Sequence, residues 1–393
     1  MSDENRASRR SVLASIGGSV AVAEGVGAVD TTGAATDYST VQYNQDPLSS
    51  IESDWPKPYY DAGLSNSASG SPGPTTQIEK VWEFSSEMRL TSPVVADGVL
   101  YVSDENGTVF AIDARSGKVR WQQSLDGEAG TPWVEENSIY IPTTTSIVAL
   151  DVKDGAKRWT ISAPNKLAFL VAEHGVYFIS NEDAVAVKKL SLTEGDEQWQ
   201  TTITRPFSRR LFSGGDAIFV STADRGRIPW VISQTDGEIN KGPSEAGFDF
   251  NQERFYHDGT IFSAEPFFGG IKSSHIHKQE NNWSRGVSSQ EIYLSGDRDR
   301  LVARANHRKG STLHAYSPSD GEVKWTLPVD SGSSTRPIIG GKSVVDIGTS
   351  VRAINPISGT VQWTRKTENI GERAIIVDDM LFATSDNSVR ALR

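Results

Sequence analysis

Few side chains in this chain could do chemistry. There are six histidines, and His275-Ile276-His277 is the one close pair among them. On a strand, an H-x-H spacing puts both rings on one face, where His257 or Glu265 could complete a metal site. An exposed hairpin accounts for the pair more simply and is the favoured reading. Asp297-Arg298-Asp299-Arg300 offers carboxylates to Ca²⁺, but a solvated turn with self-paired charges is favoured there. Asp113 and Asp151 read as turn residues whose side chains bond their own backbone. The chain has no cysteine, which excludes disulfides, thiolate zinc sites and thiol nucleophiles. It also lacks a G-x-S-x-G elbow, a phosphate loop and an H-E-x-x-H pair. Asn106-Gly107-Thr108 and Asn282-Trp283-Ser284 fit the short glycosylation pattern.

Any such residues would have to be positioned by a large domain. The 393 residues are 37% hydrophobic and 23% charged, so a sizeable core can form. No apolar run reaches membrane-spanning length. The net charge of -11 argues against nucleic acid, whose phosphates need a basic face.

The N-terminus reads as an export signal. Ser8-Arg9-Arg10-Ser11-Val12-Leu13 resembles a twin-arginine motif, a mildly apolar stretch runs from Val12 to Ala23, and Ala21-Val22-Ala23 fits a small-x-small cleavage site. The expected organisation is a signal over 1–29, a polar linker over 30–53 and a repeat domain over 54–393.

The repeat is explicit. Ala111…Gly117…Trp121 recurs as Ala149…Gly155…Trp159, as Ala315…Gly321…Trp325 and as Ala353…Gly359…Trp363. Each copy reads A-x-[DNS]-x-x-x-G-x-x-x-W. Gly195 with Trp199 keeps most of it, with Lys189 at the alanine position. Gly237 keeps less, with Val231 and Lys241 at the outer positions. Trp283 stands with Gln279 in place of glycine. The tryptophan positions fall at 82, 121, 159, 199, 241, 283, 325 and 363. A period near 40 is that of a four-stranded propeller blade. Short β-branched and aromatic runs bounded by Gly, Asp and Asn precede each marker and read as strands. Asn106-Gly107 reads as a two-residue type I′ hairpin turn, which needs positive φ at both positions.

The chain stops soon after Ala391, so the tryptophan strand of the last copy is missing. Trp82 has no alanine-glycine pattern before it. The predicted fold is therefore an all-β, eight-bladed propeller of four-stranded antiparallel blades. The N-terminal strand around Trp82 completes the C-terminal blade, leaving no open seam.

These residues resemble the pyrrolo-quinoline-quinone (PQQ) repeat family, in which this signature is a tryptophan docking motif. The resemblance covers about residues 54–393 and is weakest between 200 and 310. It implies that Trp55-Pro56 and the residues to about 77 pack on the ring. It also implies one of two functions. Quinoprotein dehydrogenases of the family hold the quinone and Ca²⁺ near the ring axis and oxidise alcohols or sugars. Other members lack a cofactor and present a surface to a protein partner. The cysteine pair that clamps the quinone in the alcohol dehydrogenases is absent here, and blades of about 40 residues leave little beyond strands and turns. The expectation is a non-catalytic exported monomer at the cell surface. It would carry neither quinone nor calcium and would bind a protein or glycan partner. The degraded arc is rich in aromatic residues and arginine, types enriched at interaction hot spots. Arg209, Arg210, Arg227, His275 and His277 are the candidate partner surface.

Overall fold

In a computed structural model, the described residues are 39–42, 51–182, 184–203, 210–220, 230–240, 254–265, 270–275, 281–330, 335–366, 370–371 and 373–393. All of them belong to one unit, Asp37–Arg393. The proposed signal over 1–29 lies outside them, as do Lys241 and Gln279. No helix among them is long and apolar enough to cross a membrane.

The strands form eight sheets, each with a core of four antiparallel strands; in seven of them the four are consecutive in the chain, as the period requires. The first blade is Val94–Ala96, Val99–Ser103, Thr108–Asp113 and Val119–Ser124. Its third strand, Thr-Val-Phe-Ala-Ile-Asp, is buried almost end to end. A blade is covered on both faces by its neighbours, so its middle strands read as continuous apolar runs. The tryptophan strand alternates half-buried and exposed residues, because it forms the outer rim and half of it meets water.

The eighth blade contains the seam. Arg373–Val377, Met380–Ser385 and Ser388–Leu392 are completed by Lys80–Ser85. Trp82 pairs with Ala391, the partnership that Ala111 and Trp121 make within the first blade. Ser39–Gln42 adds a fifth, outermost strand to this blade, with Thr40 opposite Phe84. These four residues lie inside the stretch read as a polar linker.

Two turn expectations need correction. At Asn106-Gly107 only the glycine has positive φ, at 85°. The Asp104 carboxylate accepts from the Asn106 and Thr108 amides at 3.0 and 2.9 Å, so the loop is longer than a two-residue hairpin. The turns with both central residues positive are Asp97-Gly98, at 49° and 70°, and Asp258-Gly259, at 43° and 76°. Asp297 is not solvated. It is 8% exposed, and its Oδ2 accepts from Ser67 Oγ at 2.6 Å and from Arg300 at 2.7 Å.

Neighbouring blades are also tied by charge. In the sixth blade (Glu291–Gly296, Leu301–His307, Gly310–Tyr316, Val323–Val329) Arg304 is completely buried. It pairs with Asp346 in the seventh (Ile338–Gly340, Val344–Ile347, Ser350–Ile354, Val361–Lys366). Arg352 then reaches Asp330 at 2.7 Å. Hydrogen bonds from Arg352, Ser350 and Thr349 hold the Asp330 carboxyl down at about 2. Its folded value lies below the ordinary one near 3.9. The stabilisation is therefore present above about pH 4 and is lost as pH falls toward 2. An NMR titration of Asp330 should show a midpoint near 2 that moves toward 4 in Arg352→Gln.

Candidate functional site

The docking motif works across two blade interfaces. The alanine and tryptophan of one copy face each other within a blade: Ala149 with Trp159, Ala315 with Trp325 and Ala353 with Trp363. The glycine packs on the tryptophan of the preceding blade. A Cβ on Gly117 would lie 2.7 Å from the Trp82 ring, and one on Gly155 2.6 Å from Trp121. Gly195 meets Trp159 and Gly237 meets Trp199 in the same way, as Gly321 meets Trp283 and Gly359 meets Trp325. These glycines have φ between 70° and 75°, a region costly for any other residue. Each indole N–H then donates to a carbonyl of the glycine turn: Trp82 to Ala114 at 3.1 Å, Trp121 to Val152 at 3.1 Å and Trp283 to Pro318 at 2.8 Å.

Two features of this belt were not foreseen. At the degraded alanine position, Lys189 donates to the Gln234 carbonyl at 2.9 Å, beside the Trp199 N–H at 3.2 Å. Burial lowers its pKa. At the seam there is no following turn for Trp363 to meet, and its N–H donates instead to Pro74 at 3.1 Å. The N-terminal segment thus supplies a substitute docking turn as well as a strand.

That segment also builds the floor of the ring. In each blade the first strand lies nearest the axis. The amide of Trp55 donates to Val95 in the first blade at 2.7 Å. The Pro56 carbonyl accepts from Val134, which begins the second blade's contact with the segment. The carbonyls of Ala62, Gly63, Ser65 and Asn66 accept from Ser213, Tyr256, Gly296 and Ile339 in the fourth to seventh blades. Ser67–Ala68 adds a short parallel strand to the seventh. Finally Gly73 donates to Asp378 in the eighth at 2.7 Å. Residues 55–73 therefore make nearly a full lap of the axis, and every contact falls where a first strand ends. The lap is tight enough that a Cβ on Gly63 would sit 2.5 Å from the Tyr256 carbonyl. Tyr59, Tyr60, Leu64 and Asn66 all adopt positive φ.

Above this floor lies an axial chamber of 440 Å³. Trp55, Pro58, Tyr59 and Asn66 form its base. Its wall comes from the opposite, starting ends of the first strands, including Thr131, Arg210, Tyr293, Arg336 and Arg373. Arg336 is 8% exposed. It donates to Leu64 at 2.7 Å and Arg254 at 3.2 Å, and its guanidinium lies 4.5 Å from the Tyr59 ring centre. The Trp55 indole N–H, buried at the base, has no hydrogen-bond acceptor among the described residues.

A quinone with Ca²⁺ would belong near this axis. Ca²⁺ takes six to eight oxygen ligands, carboxylates foremost. No carboxylate is among the described lining residues. No group of three or more His, Asp and Glu among the described residues could hold a metal ion. The described residues do not fit the metal half of such a cofactor.

Two of the five proposed partner residues, Arg210 and His275, are described, and those two lie apart. Arg210 lines the chamber at the start of its strand. His275 ends the third strand of the fifth blade (Arg254–His257, Thr260–Glu265, Gly270–His275, Asn281–Arg285). That end lies on the opposite face, where the floor is. Arg209, Arg227 and His277 lie outside the described residues. Much of the arc's arginine turns inward or is engaged locally. Arg254 and Arg304 are buried, Arg285 donates to the Gly321 and Asp320 carbonyls, and Arg300 clasps Asp297. Phe255 and Phe262 are buried and stack on each other at 4.9 Å. The Asp113 carboxylate accepts from the Ser116 amide and that of Asp151 from the Lys153 amide, both within their turns. Each also pairs with an arginine of the adjoining strand, Arg120 or Arg158.

The geometry agrees with known proteins. The chain is 32% identical over 124 residues to outer membrane protein assembly factor BamB of Yersinia pestis, covering 30% of this chain and 32% of that one. It is 36% identical over 73 residues to the Escherichia coli protein of the same name, covering 18% of each. The matches thus span a third or less of these curated relatives. Among solved structures, BamB from Moraxella catarrhalis superposes with a TM-score of 0.61 at 16% identity, over 81% of this chain and 98% of that one. Quinohemoprotein alcohol dehydrogenase from Comamonas testosteroni superposes with a TM-score of 0.61 at 11% identity, over 86% and 80%. At these identities the structural likeness shows the fold alone, and it is shared by enzyme and assembly factor. A family model does more: over residues 76–223 and 272–393 the chain matches the one described as outer membrane protein assembly factor BamB, and it belongs to that family of PQQ-repeat propellers.

Proposed function

We propose that this chain is an exported, non-catalytic propeller that holds a protein partner in the cell envelope. Family membership supports a scaffold, and the twin-arginine pattern at Arg9-Arg10 supports export. A chamber wall whose described residues include arginines and no carboxylate speaks against the quinone-and-calcium alternative.

The observation that carries the partner reading is an apolar seam on the rim. Ile357 is 85% exposed, Val323 49% and Val361 43%. Ile357 and Val361 flank Gly359, the glycine that packs on Trp325, and Val323 lies two residues before that tryptophan. All three therefore belong to the segments by which the sixth and seventh blades dock. Exposed apolar groups gathered at one place mark interaction sites.

Site-specific photo-crosslinking tests this reading. A photoreactive residue at position 357 should give one discrete protein adduct in the solubilised envelope. Val323→Asp with Val361→Asp should abolish it without loss of folding. The triple variant Arg209→Ser, Arg210→Ser, Arg227→Ser tests the alternative arc in the same experiment. If neither change alters the adduct, or if the adduct is glycan alone, the protein-scaffold reading fails.

A further inference from the structure

The axial chamber carries a charge opposite to that of the chain. The protein has a net charge of -11, yet the chamber's described lining presents Arg210, Arg336 and Arg373 and no carboxylate. Arg336 is fixed: two backbone carbonyls and the face of Tyr59 hold its guanidinium in place. Arg373 donates to the Leu90 carbonyl at 3.1 Å and stays exposed, as does Arg210. These side chains come from the fourth, seventh and eighth blades, so only the closed ring brings them together. Like-charged groups lining a cleft with low-dielectric walls focus the field and concentrate counter-ions. Guanidinium forks match the planar geometry of carboxylate and phosphate oxygens. Thr131 adds a hydroxyl to the same wall, while the Tyr293 hydroxyl donates to the Glu291 carboxylate at 3.2 Å and that of Thr335 to the Ile347 carbonyl at 3.1 Å. The volume of 440 Å³ falls within the range of small-molecule sites.

We propose that the chamber is a receptor for a small multivalent oxyanion, a polycarboxylate or a phosphate, bound without a metal. The lap beneath it forms one end of the chamber. Arg210 and Arg373 then act as the capturing charges, and Arg336 fixes the field at the base.

Calorimetric titration of the full chain at low salt tests this, with citrate, pyrophosphate and acetate as probes. Citrate or pyrophosphate should bind with one site per chain, and acetate at least about tenfold more weakly. The two multivalent arms identify which oxyanion is preferred. Arg210→Gln with Arg373→Gln should weaken binding by about tenfold or more at an unchanged melting temperature. Arg120→Gln, at the rim, should leave it unchanged. Heat from none of the probes would overturn the proposal. So would binding that the double variant retains in full, since the anion would then lie elsewhere.

Discussion

Trp82→Ala should be among the most damaging single substitutions in the ring, costing about 3–5 kcal/mol as other large buried aromatics do on truncation. The indole is completely buried. It packs on Gly117, lies 5.9 Å from the Phe382 ring and donates to the Ala114 carbonyl. It also belongs to the strand by which the N-terminal part of the chain completes the eighth blade. Its loss leaves a cavity between the eighth and first blades and removes a hydrogen bond at the closure. Trp121, which is half-exposed and lies inside a contiguous blade, should cost less. Equilibrium urea denaturation of the two variants provides the comparison. Equal, small losses would mean that closure does not depend on this strand. Gly117→Val approaches the same contact from the other side, adding both a clash with the ring and a strained φ of +71°.

Asp346→Asn should be comparably harmful for a different reason. Arg304 is completely buried and its partner carboxylate nearly so. Burial pushes the Asp346 carboxyl upward, while Arg304 and Arg352 oppose it. Replacing the acid leaves a guanidinium in the interior without its counter-charge, a change that typically costs about 3–5 kcal/mol. Replacing both partners by apolar residues, as in Arg304→Met with Asp346→Leu, should recover most of the loss, because the desolvation of both charges disappears together. Thermal unfolding of the single and double variants checks this. A double variant as unstable as the single would show that the pair is net stabilising.

Much of the fold was legible because it rests on local regularity. The spacing of Trp121, Trp159, Trp325 and Trp363 recorded the blade length, and the unpaired Trp82 and Ala391 recorded the closure. The packing of residues 55–73 on the ring was expected from the resemblance alone, and the path of that lap left no such trace. Its positions are set by contacts with residues distant in the chain, and Tyr59, Tyr60 and Leu64 hold backbone conformations that no local preference would choose. Pro74 was equally hidden, since its role as a docking carbonyl exists only once Trp363 arrives beside it. The candidate partner surface was harder still. Composition cannot distinguish an arginine at the rim from one such as Arg304, whose partner lies 42 positions away. It also gave no hint that Arg210, Arg336 and Arg373 converge on the axis, because the closed ring alone makes them neighbours.

The claim that this propeller is a scaffold and not a quinone enzyme is tested most directly by calorimetric titration of the mature protein with the quinone, with and without Ca²⁺. The expected result is no calcium-dependent binding, because the described part of the axial wall offers guanidinium groups and no carboxylate. Any heat should match that of a simple polycarboxylate and be indifferent to the metal. Stoichiometric binding tighter than about 10 µM, or ~7 kcal/mol, that appears only with Ca²⁺ would contradict the scaffold reading and restore a dehydrogenase.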